Sequence, residues 1–420
     1  MTELAIDGGR PVRDKPFPPW PHFGEDEIGA ATRVLKSGKV NYWTGEEGRL
    51  FEKEFAASIG CPYGVALANG SVALELALLV LGVGPGDEVV VTPRTFIASA
   101  SCVAIRGATP IFADVDLDSG NITAESVRAA LTPKTSAIIC VHLAGWPCDM
   151  ESIMDLAKEK ELWVIEDCAQ ALGAKYKGRP VGSFGHVSCF SFCQDKMLTT
   201  GGEGGMLITN DEALFKRVWS YKDHGKSYDT VYDRKAASDS PYVHESIGTN
   251  LRLTEIQAAI GRVALRKLTD WVKIRRRNAE MLEQGFKKYP SLRVAVPAEV
   301  IYNSYYRCCS YVRPERLKPS WDRDRITAAI NAEGIPCFSW NCSEVYLERA
   351  FTDCSRELRV KSSELELSTE KSGVRSQERL PSAKELGETS LLFLVHPTLT
   401  EEDMKDAVKA MDKVMSVAAR

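Results

Sequence analysis

Short apolar runs that leave no position for water, alternating with helical patterns, constrain the fold of this chain more than any other feature. Glu88-Val-Val-Val-Thr92, Pro110-Ile-Phe-Ala-Asp114 and Ser136-Ala-Ile-Ile-Cys-Val-His142 read as strands, as do residues 162–166. Residues 72–83, 95–106 and 150–161 read as helices. A strand that is apolar at every position must be covered on both faces. Helices between successive strands provide that cover, so the pattern predicts an α/β fold built on a mostly parallel sheet. In such sheets ligands bind beyond the C-terminal ends of the strands.

At 420 residues the chain can bury a large core and is expected to form two domains, residues 1–265 and residues 266–420. The net charge of −4 gives no basic surface for nucleic acid or an anionic membrane. The longest apolar stretch, residues 73–83, contains Glu75 and is too short to span a bilayer. The N-terminus lacks the basic start and apolar block of a secretory signal, so a cytoplasmic location is expected. Twelve cysteines are scattered through largely apolar contexts without a Cys-x-x-Cys pair. They form no ligand-spaced cluster with the six histidines, so buried reduced thiols are expected and no metal site.

Pro16, Pro18, Pro19 and Pro21 surround Trp20 and predict an extended arm running over the surface. Residues 253–288 read as a long helix, broken near Thr269-Asp270, that leads into the second domain. Residues 323–333 and 401–418 read as further helices, the last amphipathic. Residues 354–378 are polar, without an apolar period, and read as an exposed insertion.

The chemistry centres on Lys196. It follows a short apolar strand and precedes Thr199-Thr-Gly-Gly-Glu-Gly-Gly205, whose glycines let backbone approach a ligand closely. Asp167 ends another apolar strand and could equally cap a helix starting at Ala169. An amine and a carboxylate at two such strand ends are what pyridoxal phosphate (PLP) needs. The amine condenses with the cofactor aldehyde, and the acid keeps the pyridine nitrogen protonated. Apolar surroundings of Lys196 are expected to favour its free amine. Gln170 lies one helical turn beyond Asp167 and is placed to touch the cofactor ring. Asn69-Gly70-Ser71 precedes a helix, so its amides and the Ser71 hydroxyl offer an anion site or, equally, a plain cap. Ser191 is a second candidate for the phosphate, and Phe96 for stacking on the ring. A dinucleotide site is excluded at Gly82-Val-Gly-Pro-Gly86, which follows a helix and opens none.

These landmarks resemble one family. Asn69-Gly-Ser-Val-Ala-Leu74, Thr95-Phe96, Glu166-Asp-Cys-Ala-Gln170, Ser191-Phe-Cys-Gln-Asp-Lys196, Gly201-Gly-Glu-Gly-Gly205 and the stretch from Gly248 to Gly261 recur in the order seen in the DegT/DnrJ/EryC1/StrS aminotransferases. The resemblance runs from about residue 15 to the C-terminus outside the polar insertion. It implies a PLP fold type I, aspartate aminotransferase-like large domain and a smaller C-terminal α+β domain. It further implies a homodimer with shared active sites, in which the asparagine of Gly-x-Asn-x-Arg, here Asn250, reaches the partner's cofactor phosphate. From the residues alone Asn250 reads as a helix cap. The lysine at position 196 implies transamination, since related dehydratases carry histidine there. Many members that aminate nucleotide sugars have Ser-Phe-His-x-x-Lys, where this chain has Cys193, and some cyclitol and aminobenzoate relatives also lack that histidine. The implied reaction moves an amino group from L-glutamate or L-glutamine to a keto-sugar, with a cyclitol or aminobenzoate-type acceptor, or a non-catalytic PLP-binding role, as alternatives. Acceptor-binding residues are expected on loops near Trp43, Asp223-His224 and Tyr305-Tyr306.

Overall fold

A computed structural model describes residues 3–232, 243–339, 344–352 and 379–420. The polar insertion expected at residues 354–378 lies outside the described residues. Seven strands form the central sheet: β1 (Tyr63–Leu67), β2 (Glu88–Val91), β3 (Thr109–Phe112), β4 (Thr135–Val141), β5 (Trp163–Asp167), β8 (Val187–Ser191) and β9 (Gly205–Thr209). Their order is β1-β9-β8-β5-β4-β2-β3. Every neighbouring pair among β8, β5, β4, β2 and β3 is parallel; β9 alone runs against its neighbours.

Side-chain alternation shows why the strands are apolar throughout. Val89 and Val91 of β2, with Ala137, Ile139 and Val141 of β4, pack into one core beneath the Gly70–Val80 and Ala98–Ile105 helices. Val90, Ile138 and Cys140 face the opposite core with the Met150–Lys160 helix. Both faces are dry, which is the condition inferred from the continuous runs.

The chain order reverses at β2 and β4: β3 lies outside β2, whereas β5 and β8 extend from β4 the other way. Crossovers diverge there and leave a crevice beyond the strand ends. Residues 92–97, 142–145, 167–170 and 191–196 follow β2, β4, β5 and β8 and gather at that edge.

A small hairpin, β6 (Lys175–Tyr176) and β7 (Arg179–Pro180), pairs with β11 (Ile301–Tyr302). A second sheet of four antiparallel strands has the order β10-β12-β14-β13, formed by Leu292–Arg293, Cys308–Val312, Ser390–Phe393 and Cys337–Phe338. The Glu255–Phe286 helix bridges the two sheets, opened by a reciprocal cap between Thr254 and Gln257. It is one unbroken helix of 32 residues, without the break expected near Thr269-Asp270. Leu268 and Val272 carry the buried stripe across that point, one turn apart. Asp270 sits on the outer face with Lys273, so the polar residues cost the helix little.

The proline-rich arm is extended but does not merely lie on the surface. Leu4 is buried in the core of the second sheet. Trp20 packs edge-on against Trp271 and donates its indole N–H to the Lys196 carbonyl at 3.0 Å. Ten cysteines among the described residues are free thiols, eight of them buried.

Candidate active site

Asp167 ends β5 and is 5% exposed. Its Oδ2 accepts from Ser99 Oγ at 2.7 Å and its Oδ1 from the Ala169 N–H at 3.1 Å. Ser99 in turn pairs with Thr95 Oγ1 at 2.8 Å. Burial pushes the Asp167 carboxyl above its usual range, and these hydrogen bonds offset only part of that. The helix expected from Ala169 is absent: residues 169–173 form turns. Gln170 therefore does not sit one helical turn on. It is buried in the turn, and its Oε1 accepts the Ala144 N–H at 2.9 Å.

Behind Asp167 lies a rigid support. His142 Nδ1 accepts the Cys148 N–H at 3.0 Å, which leaves the ring proton on Nε2, 3.0 Å from Glu166 Oε2. Glu166 also accepts from the N–H groups of Gly182, Phe184 and Gly185 and from Ser188 Oγ. Burial opposes the Glu166 charge, but His142 and the amides prevail and hold its carboxyl below the usual range. His142, Glu166 and Cys168 bring possible ligand atoms within 4.8 Å of one another. Since these hydrogen bonds already occupy Glu166 and both His142 nitrogens, the cluster reads as a brace for the end of β5.

Gly70 and Ser191 face each other at the other wall. A Cβ on Gly70 would lie 2.7 Å from the Ser191 Cβ, and one on Gly205 would lie 2.3 Å from the Asn69 carbonyl oxygen. Glycine is required at both positions because backbone and side chain approach so closely. Asn69 caps the Gly70–Val80 helix, its side chain accepting the Val72 N–H. Gly70 and Ser71 thus head the helix, with Ser71 exposed beside the half-buried Ser191.

Lys196 Nζ lies 2.9 Å from Asp195 Oδ1 and 3.4 Å from Tyr306 Oη. Tyr306 also donates its hydroxyl to Asp195 Oδ2. The expectation that apolar surroundings favour a free amine is overturned. Burial does act against the Lys196 charge, but Tyr306 and Asp195 outweigh it, so the amine is held above its ordinary pKa. Tyr306 reaches the site because its N–H donates to the Ala144 carbonyl at 2.9 Å. Loop 143–145 thereby ties Gln170 on one side to Tyr306 on the other.

Two expected residues are placed differently. Phe96 precedes the Ala98–Ile105 helix, which starts three residues later than expected, and its ring is 61% exposed. Asn250 caps no helix, since Thr254 does so; its Oδ1 accepts the Arg252 N–H at 3.3 Å. The neighbouring Leu251 carbonyl accepts the Ala68 N–H at 2.9 Å, which sets this segment beside the turn leading to Gly70.

Ser99, Asp195 and Trp20 were not singled out from the sequence, and Tyr306 was noted only as part of a loop. Asp195 had a legible signal as an acid next to the lysine. Ser99 and Tyr306 had none, because only folding brings them to Asp167 and Lys196.

Lys196, on the turn after β8, and buried Asp167, at the end of neighbouring β5, lie at one edge of the sheet, an arrangement that suits PLP chemistry. Comparison with known proteins agrees. Residues 21–412 match the DegT/DnrJ/EryC1/StrS aminotransferase family. The chain is 41% identical to GDP-perosamine synthase of Escherichia coli O157:H7, over 63% of this chain and 70% of the relative. It is 36% identical to L-glutamine:2-deoxy-scyllo-inosose aminotransferase of Streptomyces kanamyceticus, over 80% and 79% respectively. The crystal structure of an aminotransferase from Psychrobacter cryohalolentis superposes with a TM-score of 0.89 at 51% identity, covering 96% of this chain and 99% of that one. The chain belongs to the DegT/DnrJ/EryC1/StrS family of PLP-dependent aminotransferases.

The residues present fit that cofactor. Asp167 is a buried carboxylate whose hydrogen-bond partners, Ser99 and the Ala169 amide, are both neutral, so a pyridinium would supply the cation it lacks. The head of the Gly70–Val80 helix opposite Ser191 suits a phosphate dianion.

Proposed function

We propose that the enzyme transfers an amino group from L-glutamate or L-glutamine to a keto-sugar, a nucleotide-linked ketohexose. The reading is supported by buried Asp167 at the end of β5, by Lys196 on the turn after neighbouring β8, and by the close approach of Gly70 to Ser191. PLP supplies an aldehyde for amines and a ring that draws electrons from the bond being broken. Lys196 would hold the aldehyde, and its amine takes and returns the proton at the donor Cα as general base and acid. Asp167 would hold the pyridine nitrogen in its protonated form, steadied by Ser99 and by the Glu166–His142 brace. Gly70, Ser71 and Ser191 would bind the phosphate, Gln170 the ring edge and Phe96 the ring face.

The same reading makes the protein a homodimer in which the partner's Asn250 completes each phosphate site. The exposed Phe96 ring, beside the strand ends, is in keeping with cover from a ligand or a second copy. Residues 1–265 would form the cofactor-binding domain and residues 266–420 the smaller domain. A cytoplasmic location accords with free cysteines and with the lack of any described helix long and apolar enough to cross a membrane.

Similarity to GDP-perosamine synthase supports the nucleotide-sugar acceptor. A cyclitol ketone is the second reading, favoured by Cys193 in place of histidine and by similarity to the inosose aminotransferase. The visible spectrum of the purified protein, before and after L-glutamate or L-glutamine, tests the first half-reaction. Nucleotide-linked keto-sugars and inosose ketones assayed side by side then separate the acceptors. Lys196→Ala is expected to abolish turnover, and substantial remaining activity would refute the assignment.

A further inference from the structure

We propose that Asp195 and Tyr306 form a clamp that sets the proton affinity of Lys196, as positioning residues for its work as a base. The inference rests on the role proposed above for Lys196. One carboxylate serves two donors: Asp195 Oδ1 is 2.9 Å from Lys196 Nζ, and Oδ2 accepts the Tyr306 hydroxyl. Tyr306 Oη is itself 3.4 Å from Nζ. Lysine, aspartate and tyrosine thus close a triangle around a single amine.

The triangle is held from outside. Arg307 stacks on the Tyr306 ring at 4.5 Å and places Nη2 3.8 Å from Asp195 Oδ2. The fully buried Arg275 reaches the Tyr305 and Tyr306 carbonyls at 3.5 and 3.4 Å. The charged and titratable groups acting on Lys196 or on Asp195 are therefore Asp195, Tyr306, Arg307, Arg275, Cys193 and Asp167. Asp195 is the group that contacts the amine at salt-bridge distance.

An amine that takes a proton becomes an ammonium, and a carboxylate at 2.9 Å stabilises that state. The tyrosine hydroxyl donates to the same carboxylate, which fixes its position, and its oxygen accepts from the amine at 3.4 Å. The two residues thus act in the same direction on the amine. Without the Asp195 charge, Lys196 binds its proton less tightly. Without the Tyr306 hydroxyl, the amine loses an acceptor at 3.4 Å and Asp195 loses a donor that helps hold its carboxylate in place.

The test uses full-length cofactor-free protein and measures, against pH, how fast an amine-selective reagent labels Lys196, read by peptide mass. Asp195→Asn is expected to lower the labelling midpoint by about 1–2 pH units. Tyr306→Phe is expected to lower it by less, and Asp195→Glu to restore most of the native value. The same order should hold for the pH at which the visible band of the cofactor-loaded protein changes. A common midpoint in native protein and both variants, each retaining the native circular dichroism spectrum, overturns the clamp. A native protein whose visible band survives Lys196→Ala would instead refute the role of Lys196 itself.

Discussion

Ser99 Oγ donates to Asp167 Oδ2 at 2.7 Å, and through this bond the helix after β2 reaches the carboxylate that ends β5. Ser99→Ala removes a hydrogen bond to a charged acceptor, a loss of about 1.5–3 kcal/mol. Cofactor affinity is expected to fall roughly 10- to 100-fold, measured by titrating PLP into cofactor-free protein, with the fold unchanged by circular dichroism.

Asp167 also makes a stability prediction with a definite sign. Burial raises its folded-state pKa above the unfolded value. Its favourable contribution is then present below the unfolded pKa and lost as pH rises through the folded one. At neutral pH the buried charge costs the cofactor-free protein stability. Asp167→Asn is expected to raise the melting temperature of that form at pH 7, with the gain shrinking as pH falls toward 4. The same variant should lose cofactor-dependent turnover. A gain independent of pH would contradict this account of the site.

Gly70→Ala places a methyl 2.7 Å from the Ser191 Cβ, forcing apart the two walls proposed for the phosphate. The expected result is a cost of about 1–3 kcal/mol in stability and weaker PLP binding. A Gly70→Ala/Ser191→Gly double variant should recover part of the stability, by denaturant titration, but not the PLP binding, since Ser191 is itself proposed to hold the phosphate.

Lys222 and Glu52 form a buried ion pair at 3.0 Å, joining the helix after β9 to the one before β1. Glu52 also accepts from Tyr42 Oη and the Ala66 N–H. Lys222→Met leaves the carboxylate buried without its cation and is expected to cost about 3–5 kcal/mol. Adding Glu52→Gln removes the charge but keeps an acceptor for Ala66, and should restore much of the loss in chemical unfolding.

Reading strands and helices from pattern worked where local chemistry and packing agree. β2, β4 and β5 fell within two residues of the apolar runs, and the final helix matched residues 401–418, because continuous apolar runs and a capped amphipathic period admit few other structures. Thr269-Asp270 misled because a helix tolerates polar residues on its outer face when the buried stripe continues beneath them. The Ala169 helix misled because Asp167 Oδ1 does accept the amide expected of a cap, but the chain then turns to send Gln170 to Ala144.

Local residue chemistry alone therefore made the parallel sheet and the positions of Lys196 and Asp167 after neighbouring strands legible, since apolar periodicity acts over a few residues. Folding was needed to bring Ser99 to Asp167, Trp20 to the Lys196 carbonyl and Tyr306 to Asp195. It also reversed the expected protonation of Lys196. Burial is partly foreseeable from neighbouring apolar residues, whereas Tyr306 arrives from a position 110 residues away in the chain. Electrostatic interactions depend on distance in space, so the contribution of Tyr306 had no local signal, whereas that of Asp195, next to the lysine, did.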